Sequence, residues 1–245
     1  MKFATLIASV FAVRAICAAG QVTVPANAPV LQGDVPVALE MANAMPFEVI
    51  LRIAKENSVP LGIVIGVHPA LCVRQKSIRI HASNFQGAFK QALANTGYTT
   101  AFGNGAYVLT APDITAREAK ILHFRFERFT ATDATMNYAS QLLNGYILTS
   151  IDGANGFVTV SPQGRQTKSF TLRLTSVTSQ EIANQIVQQD GKGLWVFRPT
   201  PPPTGAELGA FASSVGHTPI HIYGYDDDAA EIGQIPCETP VATGP

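Results

Sequence analysis

Residues 77–110 read SIRIHASNFQGAFKQALANTGYTTAFGNGAYVLT, and this stretch predicts a strand, a helix and a closing hairpin. The apolar side chains of the predicted helix fall at helical spacing: Phe85, Phe89 and Leu93. The helix is expected to end at Thr96-Gly97, a glycine-containing turn. Asn104-Gly105 supplies the positive φ angles that a tight hairpin requires. Gly103 and Gly105 therefore indicate a hairpin turn. They are not expected to form a dinucleotide-binding loop, because no predicted helix follows them.

A second stretch repeats this order. Residues 169–197 read SFTLRLTSVTSQEIANQIVQQDGKGLWVF, which lies 92 to 93 residues further along the chain. An alternating run again leads into a helix, whose expected apolar positions are Val177, Ile182 and Ile186, and Asp190-Gly191 ends it. Two copies at a fixed offset indicate internal duplication.

Each copy is extended on its N-terminal side by a further predicted strand, helix and strand. In the first copy these are a strand at 35–41, a helix opening at Met45-Pro46 and an apolar strand at 61–67. In the second they are a strand at 121–129, a helix ended by Asn144-Gly145 and a strand at 146–151, with an inserted strand expected at 156–161. Residues 112–119 are expected to be a short connector.

The predicted fold class is α/β, in the α+β arrangement: two tandem small domains of β-α-β-β-α-β type, each a small mixed sheet packed against two helices. The expected boundaries are a signal peptide at 1–20, a linker at 21–34, a first domain at 35–112, a second domain at 119–199, and a Pro-rich, largely extended tail at 200–245. One strand, at 219–225, is expected within the tail.

The N-terminus has the pattern of a secretory signal peptide. Lys2 precedes an apolar stretch from Phe3 to Val13, and small residues follow from Cys17 to Gly20. Cys17 lacks the preceding triplet of a lipidated cysteine, so lipidation is not expected. No later apolar run approaches the ~20 residues that span a bilayer. The predicted location is therefore the periplasm or cell envelope, with secretion as a further option.

Charge argues against a nucleic-acid partner. Charged residues make up 14% of the chain, below the roughly 25% that is usual. Removal of the predicted signal peptide takes Lys2 and Arg14 from the 17 basic residues and leaves 15 against 17 acidic residues, without a basic stripe. Phosphate binding needs clustered Lys and Arg, so neither nucleic acid nor an anionic membrane is the expected main partner.

Two cysteines remain after the predicted cleavage. In an oxidising compartment Cys72 and Cys237 can pair and tie the tail to the first domain, or stay as two free thiols.

Motifs for catalysis and cofactor binding are missing. The sequence contains no Gly-x-Ser-x-Gly, His-Glu-x-x-His, phosphate loop or Cys-x-x-Cys pair, so neither an enzyme nor a bound cofactor is predicted. The densest group of metal-binding residue types lies in the tail: His217, His221, Asp226, Asp227, Asp228 and Glu231. Its spacing fits no known metal loop, so these residues are weak metal candidates and a solvated acidic run is the simpler interpretation.

Aromatic residues allow two interpretations. Phe124, Phe126, Phe170 and Trp195 favour core positions over a ligand platform, because the phenylalanines alternate with polar neighbours. Three tyrosines near predicted strand ends are candidate surface anchors for a partner: Tyr98, Tyr107 and Tyr146.

Residues 46–109 resemble the short N-terminal (STN) domain shared by outer-membrane secretins and TonB-dependent transducers. The resemblance is carried by FEVILRIAKENSVPLGIVI, SIRIHASN, FKQALANTGY and GNGAYVLT, with Ala92-Leu93 and Gly97-Tyr98 at the family's positions. Residues 121–197 are less similar, since Gln185-Ile186 and Asp190-Gly191 replace those pairs. No barrel sequence follows, so the resemblance implies an accessory or stand-alone role in a secretion or TonB-type uptake or signalling system.

The leading functional hypothesis is a non-catalytic protein-interaction module whose partner is another envelope protein. Sheet edges and helical faces would provide the binding surface. The alternative is an envelope protein that binds a small ligand or metal through the His/Asp-rich tail.

Overall fold

The computed structural model describes residues 35–66, 70–151, 168–198 and 219–225. Its elements follow in the order β1 (Val37–Ala44), α1 (Pro46–Glu56), β2 (Leu61–Val64), a 3-10 turn (Ala70–Cys72), β3 (Gln75–Ala82), α2 (Phe85–Ala92), β4 (Thr99–Gly103), β5 (Ala106–Thr110), α3 (Ala116–Leu122), β6 (Arg125–Ala134), α4 (Met136–Ile151), β7 (Phe170–Thr178), α5 (Ser179–Asp190), β8 (Gly193–Phe197) and β9 (Ile220–Gly224). The predicted α+β class is confirmed.

A five-stranded sheet forms the middle of the molecule, in the order β4-β5-β2-β8-β9. The central strand β2 runs parallel to β5 on one side and to β8 on the other, and the two outer pairs are antiparallel. Because β2 belongs to the first half of the chain and β8 to the second, the halves share one sheet. The structure does not confirm two separately folded tandem domains.

The two faces of this sheet bury different halves of the chain. Leu61 and Ile63 of β2 pack with the side chains of α1 and α2 in one core. Val64 of the same strand packs with α4 and α5 in the other core, together with Trp195 of β8. Each half therefore supplies the helices for one face, and the sheet serves both cores.

The internal repeat is visible in the topology. β1 pairs with β3 in a two-stranded antiparallel ribbon, and β6 pairs with β7 in a second one. In both halves the ribbon is followed by a helix and then by a strand of the central sheet, α2-β4 and α5-β8. Among the described residues β2 has no counterpart in the second half, because the residues predicted to form it, 146–151, are helical.

Helix α4 corrects two predictions. It passes through Asn144-Gly145, where the sequence predicted a helix end, and continues to Ile151. Asn144 is buried, and its side chain donates to the Ser140 carbonyl one turn back and to the carbonyl of Ile220 in β9. Tertiary packing against β9 therefore overrides the turn preference of the Asn-Gly pair.

The expected connector at 112–119 is also wrong in part, because α3 begins at Ala116. Thr115 caps it by accepting from the Glu118 N–H at 3.3 Å, while Glu118 accepts from the Thr115 N–H at 2.6 Å. This reciprocal pair is a capping box. Helix α3 displaces the start of β6 to Arg125, so Ile121 and Leu122 end a helix instead of opening the predicted strand at 121–129. Val177 likewise lies in β7, and α5 begins two residues later.

The strand expected at 219–225 is confirmed as β9, and it is an integral part of the sheet. The other predictions for the tail, the signal peptide at 1–20, the linker at 21–34 and the inserted strand at 156–161 lie outside the described residues. Within the part of the chain that is described, no helix is both long and apolar enough to span a membrane.

Candidate interaction edge

The two terminal strands of the central sheet differ in how their outer edges are covered. At β9, the N–H of Arg198 donates to the carbonyl of Pro219, and the N–H of Tyr225 donates to the carbonyl of Lys192. The backbone N–H and C=O groups of the odd-numbered residues of β9 therefore point toward β8. The backbone of Ile220 therefore points away from β8. Its N–H donates to Asn144 Oδ1 at 3.1 Å, and its carbonyl accepts from Asn144 Nδ2 at 2.7 Å. One amide side chain thus closes this edge at Ile220.

Strand β4, at the opposite end, pairs only with β5 among the described strands. Its sequence, TTAFG, contains no charged residue and no proline, and four of its five residues are exposed. Lysine, proline and bulges are the usual features that prevent an edge strand from pairing with another chain. β4 has none of these, and a Cβ built on Gly103 would meet nothing within 4 Å. This edge is therefore open.

Phe102 is the exposed end of an aromatic cluster that anchors β4 to the first core. Its side chain is 50% exposed, and its ring lies 4.8 Å from that of its cross-strand partner Tyr107. Tyr107 is buried and contacts Phe89 of α2 edge-to-face at 5.2 Å. Burial raises the pKa of the Tyr107 hydroxyl. The cluster therefore exposes a large apolar side chain on a strand that is packed against the first core.

Helix α5 fixes the tip of the β4–β5 hairpin. Asn184 Nδ2 donates to the carbonyl of Gly103 at 3.1 Å, and Gln185 Nε2 donates to that of Asn104 at 3.2 Å. Asn184 Oδ1 in turn accepts from the buried indole N–H of Trp195 at 2.7 Å. A helix of the second half therefore holds the edge strand of the first half in place.

The side chain of Asn104 also contacts the N-terminus of α5. Burial alone would raise the pKa of Glu181, but the net pKa is lowered, because its carboxylate accepts hydrogen bonds from Thr178 and Asn104 and lies near Arg125. Glu181 is the capping-box acid of α5. Its charge therefore stabilises both the helix start and the neighbouring hairpin.

The predicted tyrosine anchors separate into buried and exposed residues. Tyr98 is only 7% exposed and Tyr107 only 6%, so these two predictions are wrong. The Tyr98 hydroxyl accepts from the Gly66 N–H at 3.5 Å. Burial and then the nearby Asp113 carboxylate raise its pKa, which that hydrogen bond partly offsets. Tyr146 is 49% exposed and lies on α4.

The predicted core aromatics do not form a ligand platform. Trp195 and Phe126 are buried in the second core, and Phe124 and Phe170 pack against it while half-buried.

Of the tail residues named as metal candidates, the described part of the chain contains only His221. Its ring stacks on that of Tyr223 with centroids 6.3 Å apart. His217, Asp226, Asp227, Asp228 and Glu231 lie outside the described residues. Within the described ranges no group of three His, Cys, Asp or Glu side chains could hold a metal ion.

Cys72 is disulfide-bonded. Both other cysteines of the chain, Cys17 and Cys237, lie outside the described residues, so the pairing with Cys237 stays a prediction.

Sequence reasoning missed Phe102 and Asn144. The signal for Phe102 was available, since an uncharged strand without proline beside an Asn-Gly turn is the pattern of an unprotected edge. No local signal identifies Asn144, because its partner Ile220 is 76 residues away.

No protein-family model matches the chain, and no curated protein or solved structure is significantly similar to it.

Proposed function

We propose that this protein is a non-catalytic interaction module of the cell envelope that binds an extended segment of another envelope protein along β4. The observation that carries the proposal is the contrast between the two ends of the sheet. At β9 the outward backbone groups of Ile220 are already bound by Asn144, whereas the β4 edge is exposed and has an uncharged sequence.

The backbone geometry of β4 suits strand addition. The two-residue turn Asn104-Gly105 makes Gly103 and Ala106 the closing, hydrogen-bonded pair of the hairpin. Pairing alternates along an antiparallel ladder, so the N–H and C=O groups of Phe102 and Thr100 point away from β5. A partner strand would receive its main-chain hydrogen bonds from these two residues.

The side chains of β4 supply the rest of the binding surface. Phe102 offers a half-exposed ring on one face. Thr99, Ala101 and Gly103 are exposed and small, so they leave room for the side chains of an added strand. Affinity would come from main-chain hydrogen bonds and specificity from side-chain contacts with the exposed Phe102 ring. The predicted signal peptide is consistent with an envelope location for both partners.

Affinity capture from an envelope extract tests this function. The wild-type chain is expected to recover a defined partner. Thr100→Pro should abolish recovery, because the ring removes an outward N–H and blocks the edge while leaving the β4–β5 hydrogen bonds intact. Phe102→Ser should weaken recovery by removing the exposed ring.

The matched control is Val73→Ser, since Val73 is another large exposed apolar side chain, at 64%, and lies outside β4. It should recover the partner as the wild type does. Thermal unfolding of each variant shows whether it is folded. Equal recovery by a folded Thr100→Pro variant contradicts strand addition.

A further inference from the structure

The two ribbons of the internal repeat differ in one charged pair. In the first ribbon Arg79 of β3 lies opposite Glu40 of β1, and Arg79 Nε is 2.7 Å from the Glu40 carboxylate. The hydrogen bond and the charge of Arg79 lower the pKa of Glu40, although both side chains are well exposed. The arginine of this ribbon therefore has an acidic partner within the molecule.

Arg173 occupies the equivalent position in the second ribbon. Arg79 lies between the buried Ile78 and Ile80, and Arg173 lies between the buried Leu172 and Leu174. The residue opposite Arg173 is Thr130, which stands where the first ribbon has Glu40. At the equivalent positions the second ribbon therefore has the arginine but a threonine in place of the acidic partner.

A second arginine lies on the same face of this ribbon. Arg128 is two residues from Thr130 and is opposite Thr175. Arg128 and Arg173 are both exposed, and neither forms a hydrogen bond or ion pair with another described residue. The exposed Glu127 forms no ion pair within the described ranges. The outer face of β6–β7 therefore has two guanidinium groups flanked by two threonine hydroxyls.

Two other acids of the described residues are engaged within the molecule. Glu181 caps α5, and Asp133 accepts from the hydroxyl of Ser169. Over all described residues, Lys and Arg number 14 and Asp and Glu number 9, so this part of the chain is net positive. Since neither arginine pairs with a described acid, a carboxylate that binds them would come from outside these residues.

We propose that the outer face of the β6–β7 ribbon binds an acidic peptide segment of another protein. In an extended segment, side chains two residues apart project from the same face about 6.6 Å from each other. Diagonal positions across a two-stranded ribbon are separated by roughly 7–8 Å. Carboxylates at alternate positions would therefore match Arg128 and Arg173, with guanidinium–carboxylate hydrogen bonds to each and the threonine hydroxyls beside them. This surface does not depend on strand addition at β4.

Binding of a fluorescent octapeptide of alternating glutamate and threonine, measured by anisotropy at low ionic strength, tests the proposal on the full chain. Thr130→Glu supplies the acid that the first ribbon already has, and it should weaken binding about fivefold or more. Arg173→Gln should do the same. The wild-type affinity should fall with added salt, and the glutamine-threonine version of the peptide should not bind.

Arg79→Gln is the matched control, because it removes an arginine from the equivalent position of the other ribbon, where it is already paired. Its affinity for the peptide should equal that of the wild type. The proposal is overturned if Thr130→Glu binds the peptide as well as the wild type does, or if Arg79→Gln weakens binding as much as Arg173→Gln.

The same assay distinguishes two alternative ligands of this face, a polyphosphate and the chain's own acidic segment. Tighter binding of inorganic polyphosphate than of the acidic peptide would assign the face to phosphate and overturn a peptide partner. If the wild type binds the peptide only after Asp226, Asp227 and Asp228 are changed to Asn, the chain's own acidic segment occupies the face, and the proposal of a separate partner is wrong.

Discussion

The side chain of Tyr225 joins the two halves of the molecule. It directly follows β9 of the second half, yet its hydroxyl donates to the carbonyl of Val59 in the first half at 2.6 Å. It is 1% exposed and packs in the first core. Burial raises the pKa of this hydroxyl far above its ordinary value. The residue therefore links the two halves and also makes stability sensitive to alkali.

We expect the free energy of unfolding to fall as the pH rises above about 10, the ordinary pKa of tyrosine. Above it the unfolded chain loses the Tyr225 proton while the folded chain keeps it, so the stability present below this pH is progressively lost. Tyr225→Phe should lower the free energy of unfolding by about 1 kcal/mol at neutral pH through the lost hydrogen bond. The free energy of unfolding of this variant should then fall less steeply with rising pH than that of the wild type.

Urea unfolding at a series of pH values measures both effects. Tyr138→Phe is the control, because Tyr138 is 38% exposed and its hydroxyl forms no hydrogen bond with another described residue. An unchanged alkaline slope in Tyr225→Phe would show that Tyr98 or Tyr107, whose pKa values are also raised, accounts for the decline.

At the residue scale, the sequence predicted positions that follow a period and missed positions that depend on distant partners. Ile78, Ile80, Phe85 and Phe89 are buried as their spacing predicted. Tyr98 and Tyr107 lie near strand ends as predicted, but both are buried in the first core, where Tyr107 packs against Phe85 and Phe89 of α2. No local pattern contains that information.

Among the elements, the β4–β5 hairpin was predicted most fully. Asn104 and Gly105 have φ values of 50° and 78°, as the Asn-Gly turn requires. Helix α5 was also predicted well, since its glycine C-cap, Gly191, has a left-handed φ of 75°. Helices α3 and α4 were predicted poorly, because the Thr-x-x-Glu box at 115–118 was overlooked and the Asn-Gly pair at 144–145 was given more weight than packing.

Gly105 and Gly103 provide a matched pair for testing the hairpin. Gly105→Ala should destabilise the protein by about 1–2 kcal/mol, because φ is positive and the new methyl would meet the side-chain amide of Gln188. Gly103→Ala should change stability by less than about 0.5 kcal/mol, since its methyl would point into open space. Chemical denaturation gives both values, and equal losses would contradict this account of the turn.

For the molecule as a whole, the main difference from the predicted tandem domains is the sheet that both halves share. The repeat predicted two similar halves, and the ribbons and the helices that follow them do correspond, whereas β8 and β9 do not form a tight hairpin like β4–β5. The sequence could not show that β2 would pair with β8, because parallel pairing across more than 100 residues leaves no local trace. An apolar strand buried on both faces has the same composition whether its neighbours come from one half or from two.

The shared sheet predicts a single cooperative unfolding transition. Trp195, the only tryptophan, is in the second half, so its fluorescence would follow that half alone if the halves were independent. With one sheet, urea midpoints from tryptophan fluorescence and from far-ultraviolet circular dichroism should coincide. Two midpoints, or a stable fragment 35–112, would show that the halves fold separately.

The disulfide of Cys72 predicts a redox dependence of stability. Reduction, or the Cys72→Ser change, should lower the free energy of unfolding by about 2–5 kcal/mol, and a reductant should have no further effect on the variant. Mass spectrometry of an unreduced digest should recover the peptide pair containing Cys72 and Cys237. A pair with Cys17 would contradict both this linkage and the predicted cleavage.

The Asn144 amide at Ile220 also sets a limit on growth. A sheet that can be extended at both sides can polymerise without end, as fibrils do. Here the outward hydrogen bonds of Ile220 are already filled by a side chain of the same molecule, so a strand that paired along β9 would have to displace Asn144. Growth through β4 is therefore favoured over growth through β9, and two copies that met through β4 would leave only their hindered β9 sides for a third.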